Sequence, residues 1–585
     1  MKRINLFFIS FLIILLLISC SEEKERSITI LATTDVHGVI LPYDFIEKKD
    51  LDVSLAGVCS YVKGLRDKNK HVLLLDNGDN LQGQPSVYFY NFIDTASPHI
   101  LAEAMNYIGY DAGTVGNHDI EAGHDVYDRL LKEYKFPLLA ANAVNKLTGN
   151  PYFKPYVVLE INDVRVAIMG LITPSVPTWI PPELYSGMEF RGMVETAGYW
   201  MPFILKEKPD LVVGLFHSGW EDAENTSGTK GSHYEPGSGS VARSIPGFDI
   251  IICGHNHNLV KKKVVNSDGD SVLILEGGSR SENIVRADVI IHGNKARKKG
   301  NKSILGSIVD VEKYHPDPLF ISKFTSQKKN IDDYVNKIIA TFNTSVSSRD
   351  SYFGPSPYVD LIHTIQLEIT GADISFSAPL SFDVVIKSGP VTTGDMFKLY
   401  RFENMLYTMS LSGIEIRKYL EYSYSLWYNT MKGPSDHLLK FRISGNGRPV
   451  LTNGKAWLKN QSYNFDSAAG IEYTVDVSKP EGERVLIKSF SNGTPFEENR
   501  TYMVAVNSYR GNGGGGHLTE GAGIKKEDLQ ARLVESTDRD LRYYILNYLE
   551  KKKTIYPFAL SNWKLIPEKW VAGAIPADRE LLFGK

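Results

Sequence analysis

Cysteine is scarce in this chain. Cys20, Cys59 and Cys253 are the only three in 585 residues, and no two form a Cys-x-x-Cys pair. A thiolate-built structural zinc site is excluded, and Cys59 and Cys253 are left as either a disulfide or two buried thiols. A chain this long builds its own core, so it needs no disulfide framework. An excess of positive charge is also missing: 65 Lys and Arg stand against 68 Asp and Glu, a net charge of −3. Phosphate backbones call for clustered positive charge, so no nucleic-acid polymer is expected as partner. A small anionic substrate stays open if metal ions supply positive charge locally. The glycine run Gly513–Gly516 has no Gly-Lys-Ser/Thr after it, which excludes a phosphate-binding P-loop.

Long apolar runs are scarce too: the one from Leu6 to Ile18 stands behind Lys2 and Arg3, and no other segment is long and apolar enough to span a bilayer. The Leu6–Ile18 run is short for a membrane span and right for the core of a signal peptide. It ends in Leu17-Ile18-Ser19-Cys20, which resembles the bacterial lipobox, whose cysteine is acylated and becomes the first mature residue. An ordinary cleaved signal with a coincidental cysteine is the alternative. Losing residues 1–19 removes Lys2 and Arg3, leaving 63 basic against 68 acidic residues, or −5. The next residues, Ser21-Glu22-Glu23-Lys24-Glu25, read as a polar tether and resemble the acidic export signal of surface lipoproteins. The expected location is the outer membrane, lipid-anchored, facing the cell surface or the periplasm.

The expected divisions are a signal peptide at 1–19, a tether at 20–26, a first domain at 27–300, a linker helix region at 301–345, a second domain at 346–553 and a tail at 554–585. In the first domain, β-branched runs such as Ile28–Ala32, Val72–Leu75, Val166–Met169, Leu211–Leu215 and Ile250–Ile252 alternate with helix candidates at 57–68 and 98–108. Continuous apolar runs bounded by Gly, Asp or Asn suit strands buried on both faces, so the class is α/β, layered. A Gly/Ser-rich stretch near 226–240 reads as a loop, with His233 solvated inside it. The basic run at 295–299 reads as a solvated hairpin. The second domain reads as α+β, and the tail carries no motif.

Five polar clusters each follow a predicted strand: Asp35-Val36-His37-Gly38, Gly78-Asp79-Asn80, Gly116-Asn117-His118-Asp119, His217-Ser218-Gly219 and Gly254-His255-Asn256-His257. In open α/β sheets, sites gather beyond the carboxyl ends of the strands, so the five converge on one crevice. Carboxylates and imidazoles suit two divalent metal ions from among Zn, Mn, Fe, Co and Ni, and a carboxylate can bridge a pair of them.

The order of these clusters resembles the calcineurin-like metallophosphoesterases. The two-part layout resembles the bacterial 5′-nucleotidase and 2′,3′-cyclic-nucleotide 2′-phosphodiesterase group. The resemblance implies a layered β-sandwich with flanking helices, followed by a substrate domain. It implies that Asp35, His37 and His257 hold one metal, that Asn117, His217 and His255 hold the other, and that Asp79 bridges them. Asp76 is left as a strand-end residue. Two such metals generate hydroxide for in-line attack on phosphorus. His118 matches the family's catalytic histidine, which stabilises the transferring group or protonates the leaving oxygen. Glu121, where 5′-nucleotidases carry Asp, orients the imidazole in this reading. Asp119 reads as a loop or cap residue.

Substrate choice is expected in the second domain. Tyr400-Arg401-Phe402-Glu403-Asn404 and Asn507-Ser508-Tyr509-Arg510 resemble the segments whose aromatics sandwich a nucleobase, making Phe402, Asn404 and Tyr509 substrate-binding candidates. Between Ala372 and Asn404 the only arginine is Arg401, and the run at Gly515 lacks the Asp that grips ribose hydroxyls in 5′-nucleotidases. Both departures resemble the cyclic-phosphodiesterase branch, which opens 2′,3′-cyclic nucleotides and then removes the 3′-phosphate. A 5′-nucleotidase is the alternative within the family. A surface lipoprotein that captures nucleotides or metals without turnover is the alternative in another class.

Overall fold

The computed structural model describes residues 25–584 except 69–70, 222–236, 294–295 and 297–299. The signal segment, Cys20, most of the tether, His233 and most of the basic run lie outside the described residues.

The first domain is a sandwich of two six-stranded sheets. In one, Arg26–Thr33 pairs in parallel with Val72–Asp76, which leads to Ala112–Thr114 and Leu138–Leu139. Asn283–Ile291 adds antiparallel on its other side. In the other, Val164–Ile172, Leu211–His217, Ile250–Cys253 and Ser271–Gly277 run in parallel, with antiparallel strands at both edges. Alternation along each strand builds two kinds of core. Ile28, Ile30, Leu73, Val213, Leu215 and Ile252 meet between the sheets. Leu31 and Leu74 point the other way, under the helices Leu55–Arg66 and Ile100–Ile108. These helices begin and end within two residues of the expected spans. Ser54 caps the first, accepting the Ala56 N–H, and left-handed Gly109 ends the second.

Cys59 and Cys253 are buried free thiols. Cys59 packs under a helix on one outer face of the sandwich and Cys253 on the opposite outer face. The sandwich lies between them, so the disulfide alternative is excluded.

The second domain centres on a five-stranded sheet in the order Ser467–Ala469, Ile374–Ser377, Thr501–Asn507, Met405–Ser412, Leu533–Asp540. The helices Pro357–Thr370 and Gly413–Trp427 contribute to the cores beside it.

Two expected divisions differ. The region 301–345 is not a free linker: Lys302–Asp310 pairs along its whole length with Asn283–Ile291, and Phe320, Phe324, Ile331 and Val335 join the first domain's core. Alternating residues of modest hydrophobicity hid that edge strand. The tail is also structural. Trp563–Ile566 pairs in parallel with Ile471–Asp476, and the helix Glu568–Phe583 packs Val571, Ala574 and Leu582 into the second core. A four-residue strand and a helix holding Gly573 and Pro576 give little periodic signal.

Candidate functional site

The five clusters come together. Asp35 and His37 follow Arg26–Thr33, Asp79 follows Val72–Asp76, and Asn117 opens the short helix Asn117–Glu121 after Ala112–Thr114. His217 ends its strand, and His255 and His257 follow Ile250–Cys253. Strands of both sheets thus deliver donors to one end of the sandwich.

The donors form two groups, each with ligand atoms within 4.8 Å of one another: Asp35, His37 and His257 in one, Asp79, His217 and His255 in the other. Asn117 joins the second, with its Oδ1 2.8 Å from His255 Nδ1. Backbone carbonyls orient two of the rings. His37 Nδ1 meets the Gln82 carbonyl at 3.0 Å and His217 Nδ1 that of Asn77 at 2.6 Å, which turns each Nε2 toward its group.

Several atoms are placed to receive cations. His37 Nε2 and His257 Nε2 face each other at 3.0 Å. Asp35 Oδ2 is buried with no hydrogen-bond partner, and His217 Nε2 lies 3.1 Å from Asp79 Oδ2 without the alignment of a hydrogen bond. Burial, opposed by His217 and reinforced by Asp79, raises the Asp35 carboxyl well above its ordinary range. Burial lowers His37 to about 3 and His257 to about 4. Burial also disfavours charge on Asp79 and His217, but their mutual attraction outweighs it. Asp79 falls well below the carboxylate range and His217 rises to about 10. Buried carboxylates beside buried imidazoles, with no sulfur donor, fit divalent ions such as Zn, Mn, Fe, Co or Ni, which would take the place of the proton on His217.

The backbone is bent to this purpose. Asp35, His37, Asp79, His255 and His257 all have left-handed conformations, with φ of 51°, 48°, 56°, 75° and 57°. A Cβ on Gly116 would lie 2.0 Å from Asp79 Oδ1, and one on Gly254 2.7 Å from Asp35 Oδ2. Asp119 does more than cap a loop. Its carboxylate accepts the N–H groups of Gly116, Asp79, Asn80 and Leu81 at 2.8–3.1 Å, tying the second and third clusters together. Asp76 accepts from Thr33, Asn80 and the Gly78 N–H, as a strand-end brace.

His118 stands beside the first group, its ring centroid 5.6 Å from that of His37. Its Nδ1 meets Glu121 Oε2 at 2.5 Å, so the longer carboxylate does reach. Burial alone would lower the imidazole, but Asp79 and Glu121 outweigh it and hold it at about 10. Trp179, which no motif marks, stacks on the His255 ring at 5.3 Å.

The second domain gathers its candidate aromatics in one place, on segments next to Glu403, whose charge reaches His118. Phe402 and Tyr509 are half-buried, and each meets the ring of Tyr463 edge-on, with centroids 6.0 and 6.4 Å apart. Tyr463 belongs to no motif, and only the folded chain reveals it. Buried Arg510 braces the Tyr463 and Tyr509 segments and the glycine run. It chelates Asp466 at 3.0 and 3.2 Å, donates to the carbonyls of Tyr463 and Gly514, and lies 5.2 Å from the Tyr509 ring centre. The glycine run has a steric cause. Gly513, Gly515 and Gly516 are left-handed, and a Cβ on Gly514 would lie 2.6 Å from the Tyr509 ring. Asn404 is buried with its amide turned to the Tyr400 hydroxyl at 3.4 Å, so it braces the loop that carries Phe402.

That loop is locked by Arg542, which donates to Glu403 at 2.8 Å and to the carbonyls of Tyr400 and Arg401 at 2.9 and 2.6 Å. Glu403 in turn acts electrostatically on His118 and Glu121 of the first domain. Arg542→Met would leave Glu403 buried and unpaired, an expected cost of about 3–5 kcal/mol. A lowered urea midpoint checks it, and an unchanged midpoint would contradict this account.

A layered sandwich with two adjoining donor groups at its strand ends defines the class: a two-metal phosphoester hydrolase. Two family models match, calcineurin-like phosphoesterase over residues 28–259 and 5′-nucleotidase C-terminal domain over residues 337–520. The chain belongs to the calcineurin-like phosphoesterases that carry a 5′-nucleotidase C-terminal domain. Among curated relatives, it is 26% identical to the trifunctional nucleotide phosphoesterase protein YfkN of Bacillus subtilis, over 94% of this chain but only 39% of that protein. It is 24% identical to a 2′,3′-cyclic-nucleotide 2′-phosphodiesterase/3′-nucleotidase of Haemophilus influenzae, over 93% of this chain and 88% of that one. The fold is similar to that of a Staphylococcus aureus protein solved with alpha-ketoglutarate, with TM-score 0.72, 21% identity and coverage of 92% and 99%.

Proposed function

We propose that this enzyme hydrolyses nucleotide phosphate esters, with 2′,3′-cyclic and 3′-nucleotides preferred over 5′-nucleotides. The observation that carries hydrolysis is the pair of donor groups beside His118. Asp35, His37 and His257 would hold one divalent ion and Asn117, His217 and His255 the other, with Asp79 a ligand shared by the two. Bound there, the ions supply Lewis acidity toward phosphoryl oxygens and a hydroxide nucleophile at neutral pH.

The chain's own residues do the rest. Glu121 accepts from His118 Nδ1, which fixes the ring and leaves Nε2 as the atom that can donate a proton. Phe402 and Tyr509 flank the base, and the brace at Arg510 keeps the slot in shape without substrate. The preference for cyclic and 3′-nucleotides rests on the single arginine between Ala372 and Asn404, on the glycine run, and on the name borne by the Haemophilus influenzae relative.

The test follows 3′-AMP and adenosine formed from 2′,3′-cyclic AMP, and phosphate released from 3′-AMP and 5′-AMP, by protein lacking residues 1–20 with Mn²⁺ or Co²⁺. Turnover of 5′-AMP alone would make the chain a 5′-nucleotidase. Nucleotide binding by metal-replete protein without turnover of any would make it a capture protein. Stacking is worth about 1–3 kcal/mol per base, so Phe402→Ala and Tyr509→Ala are each expected to raise KM roughly 5- to 150-fold. An unchanged KM would remove that ring from the substrate site.

Export and acylation at Cys20, giving a lipid-anchored enzyme on the outer membrane, belong to the same proposal. Support comes from Lys2 and Arg3, the apolar run and Leu17–Cys20. Incorporation of a clickable palmitate analogue, lost in Cys20→Ala, tests it.

A further inference from the structure

The helix Met193–Lys206 packs Met193, Ala197, Met201 and Ile204 onto the outer face of the second sheet. Its opposite side should be polar. Instead Tyr199 is 62% exposed, and Phe203 and Leu205 are each 40% exposed. These are not scattered. Tyr199 and half-buried Trp200 lie 5.4 and 5.5 Å from Phe203, centroid to centroid, and form one aromatic patch. Exposed Lys206 lies over the Phe203 ring at 5.3 Å. Lys208 is exposed as well, while the intervening Glu207 is tied to Arg165 at 3.0 Å. An exposed aromatic patch rimmed by lysines marks a contact surface.

Its place in the fold says what it contacts. Arg26, at the start of the first strand, pairs with Asp210 at 3.0 Å and reaches the carbonyls of Asp163 and Gly293. Asp210 lies four residues beyond the end of the aromatic helix. The chain therefore enters the fold at the end of the sandwich where this helix finishes. Only five residues separate Cys20 from Arg26, six steps along the chain, a reach of about 20 Å fully extended. A bilayer holding Cys20 would lie within that distance of this end. Tyrosine and tryptophan favour the headgroup layer, and lysines favour anionic headgroups.

We propose that Tyr199 and Phe203, with half-buried Trp200 beside them and Lys206 and Lys208 at the rim, form a membrane-contact face that seats the anchored enzyme on the bilayer. This rests on the lipid-anchor reading above. The strands Arg26–Thr33 and Leu211–His217 both start at the end where the chain enters and run toward Asp35 and His217, so the donor groups lie about 25 Å from that end.

The experiment uses protein lacking residues 1–20 and sucrose-loaded vesicles of phosphatidylethanolamine and phosphatidylglycerol, read by co-sedimentation. The unaltered protein is expected to pellet with the vesicles. The double variant Tyr199→Ser, Phe203→Ser is expected to partition about tenfold less, with unchanged turnover of 2′,3′-cyclic AMP. Unaltered protein that stays in the supernatant, or a variant that pellets equally, overturns the proposal. A dimer in sedimentation velocity that the double variant abolishes also overturns it, because the face would then join two copies. Palmitate labelling at Cys20 reads the anchor independently, so failure of the anchor and failure of the face are distinguishable.

Discussion

Asp79→Asn is expected to lose both bound metals and the activity with them. Asp79 is fully buried, accepts the His118 N–H at 2.8 Å and lies 3.1 Å from His217. It carries the only carboxylate of the second donor group, and its charge also reaches His37 in the first. The amide keeps the shape and removes the charge. Metal content by plasma mass spectrometry should fall from two ions per chain to less than one. Several kcal/mol of transition-state stabilisation go with the ions, a loss of kcat on the order of 10³-fold or more. A variant that keeps two ions and near-normal kcat would refute the bridging role. The same electrostatics set a pH dependence. Without cations, Asp79 holds a proton on His217 up to about 10, and a ligand must be deprotonated to bind. Metal affinity should therefore rise with pH, checked by titrating metal-free protein at about pH 6 and about pH 8. Affinity that falls as pH rises would contradict this.

The metal-competent residues were legible because each cluster pairs a donor with glycine or asparagine just after an apolar strand. That signal is local and needs no knowledge of packing. What holds the donors was not legible. Nothing in Asn117-His118-Asp119 marks Asp119 as the acceptor of four N–H groups from two clusters, since those groups meet it only after folding. Left-handed conformations at Asp35, His37, Asp79, His255 and His257 are equally silent, because the sequence supplies no glycine at those positions. In the second domain, Phe402 and Tyr509 stand out through resemblance, whereas Tyr463 lies between unremarkable neighbours and reaches the slot through its carbonyl bond to Arg510. Fold legibility divides in the same way. Buried parallel strands read clearly as unbroken apolar runs. The edge strand Lys302–Asp310 and the short Trp563–Ile566 take their identity from partners far along the chain.

His118→Asn separates the proposed role of this residue from that of the metals. The imidazole is not among the atoms of either donor group, so the variant should retain both ions. Its kcat on 3′-AMP should fall on the order of 10²- to 10⁴-fold with little change in KM, the usual worth of a positioned proton donor. Loss of metal from this variant would instead make His118 structural. The leaving group then distinguishes an acid from an electrostatic stabiliser. A nucleoside oxygen departs poorly without a proton, whereas p-nitrophenolate departs readily as an anion. A general acid predicts a much smaller defect on p-nitrophenyl phosphate, and equal defects on both substrates would reassign His118 to charge stabilisation. Glu121→Gln gives the matching pH signature. Burial lowers the imidazole, and Asp79 and Glu121 together raise it. Removing one of the two carboxylates lowers its pKa. A general acid loses activity as pH rises through its own pKa, so the alkaline limb of kcat should move to lower pH in Glu121→Gln. A limb that stays in place would mean that the 2.5 Å contact orients the ring without setting its proton affinity.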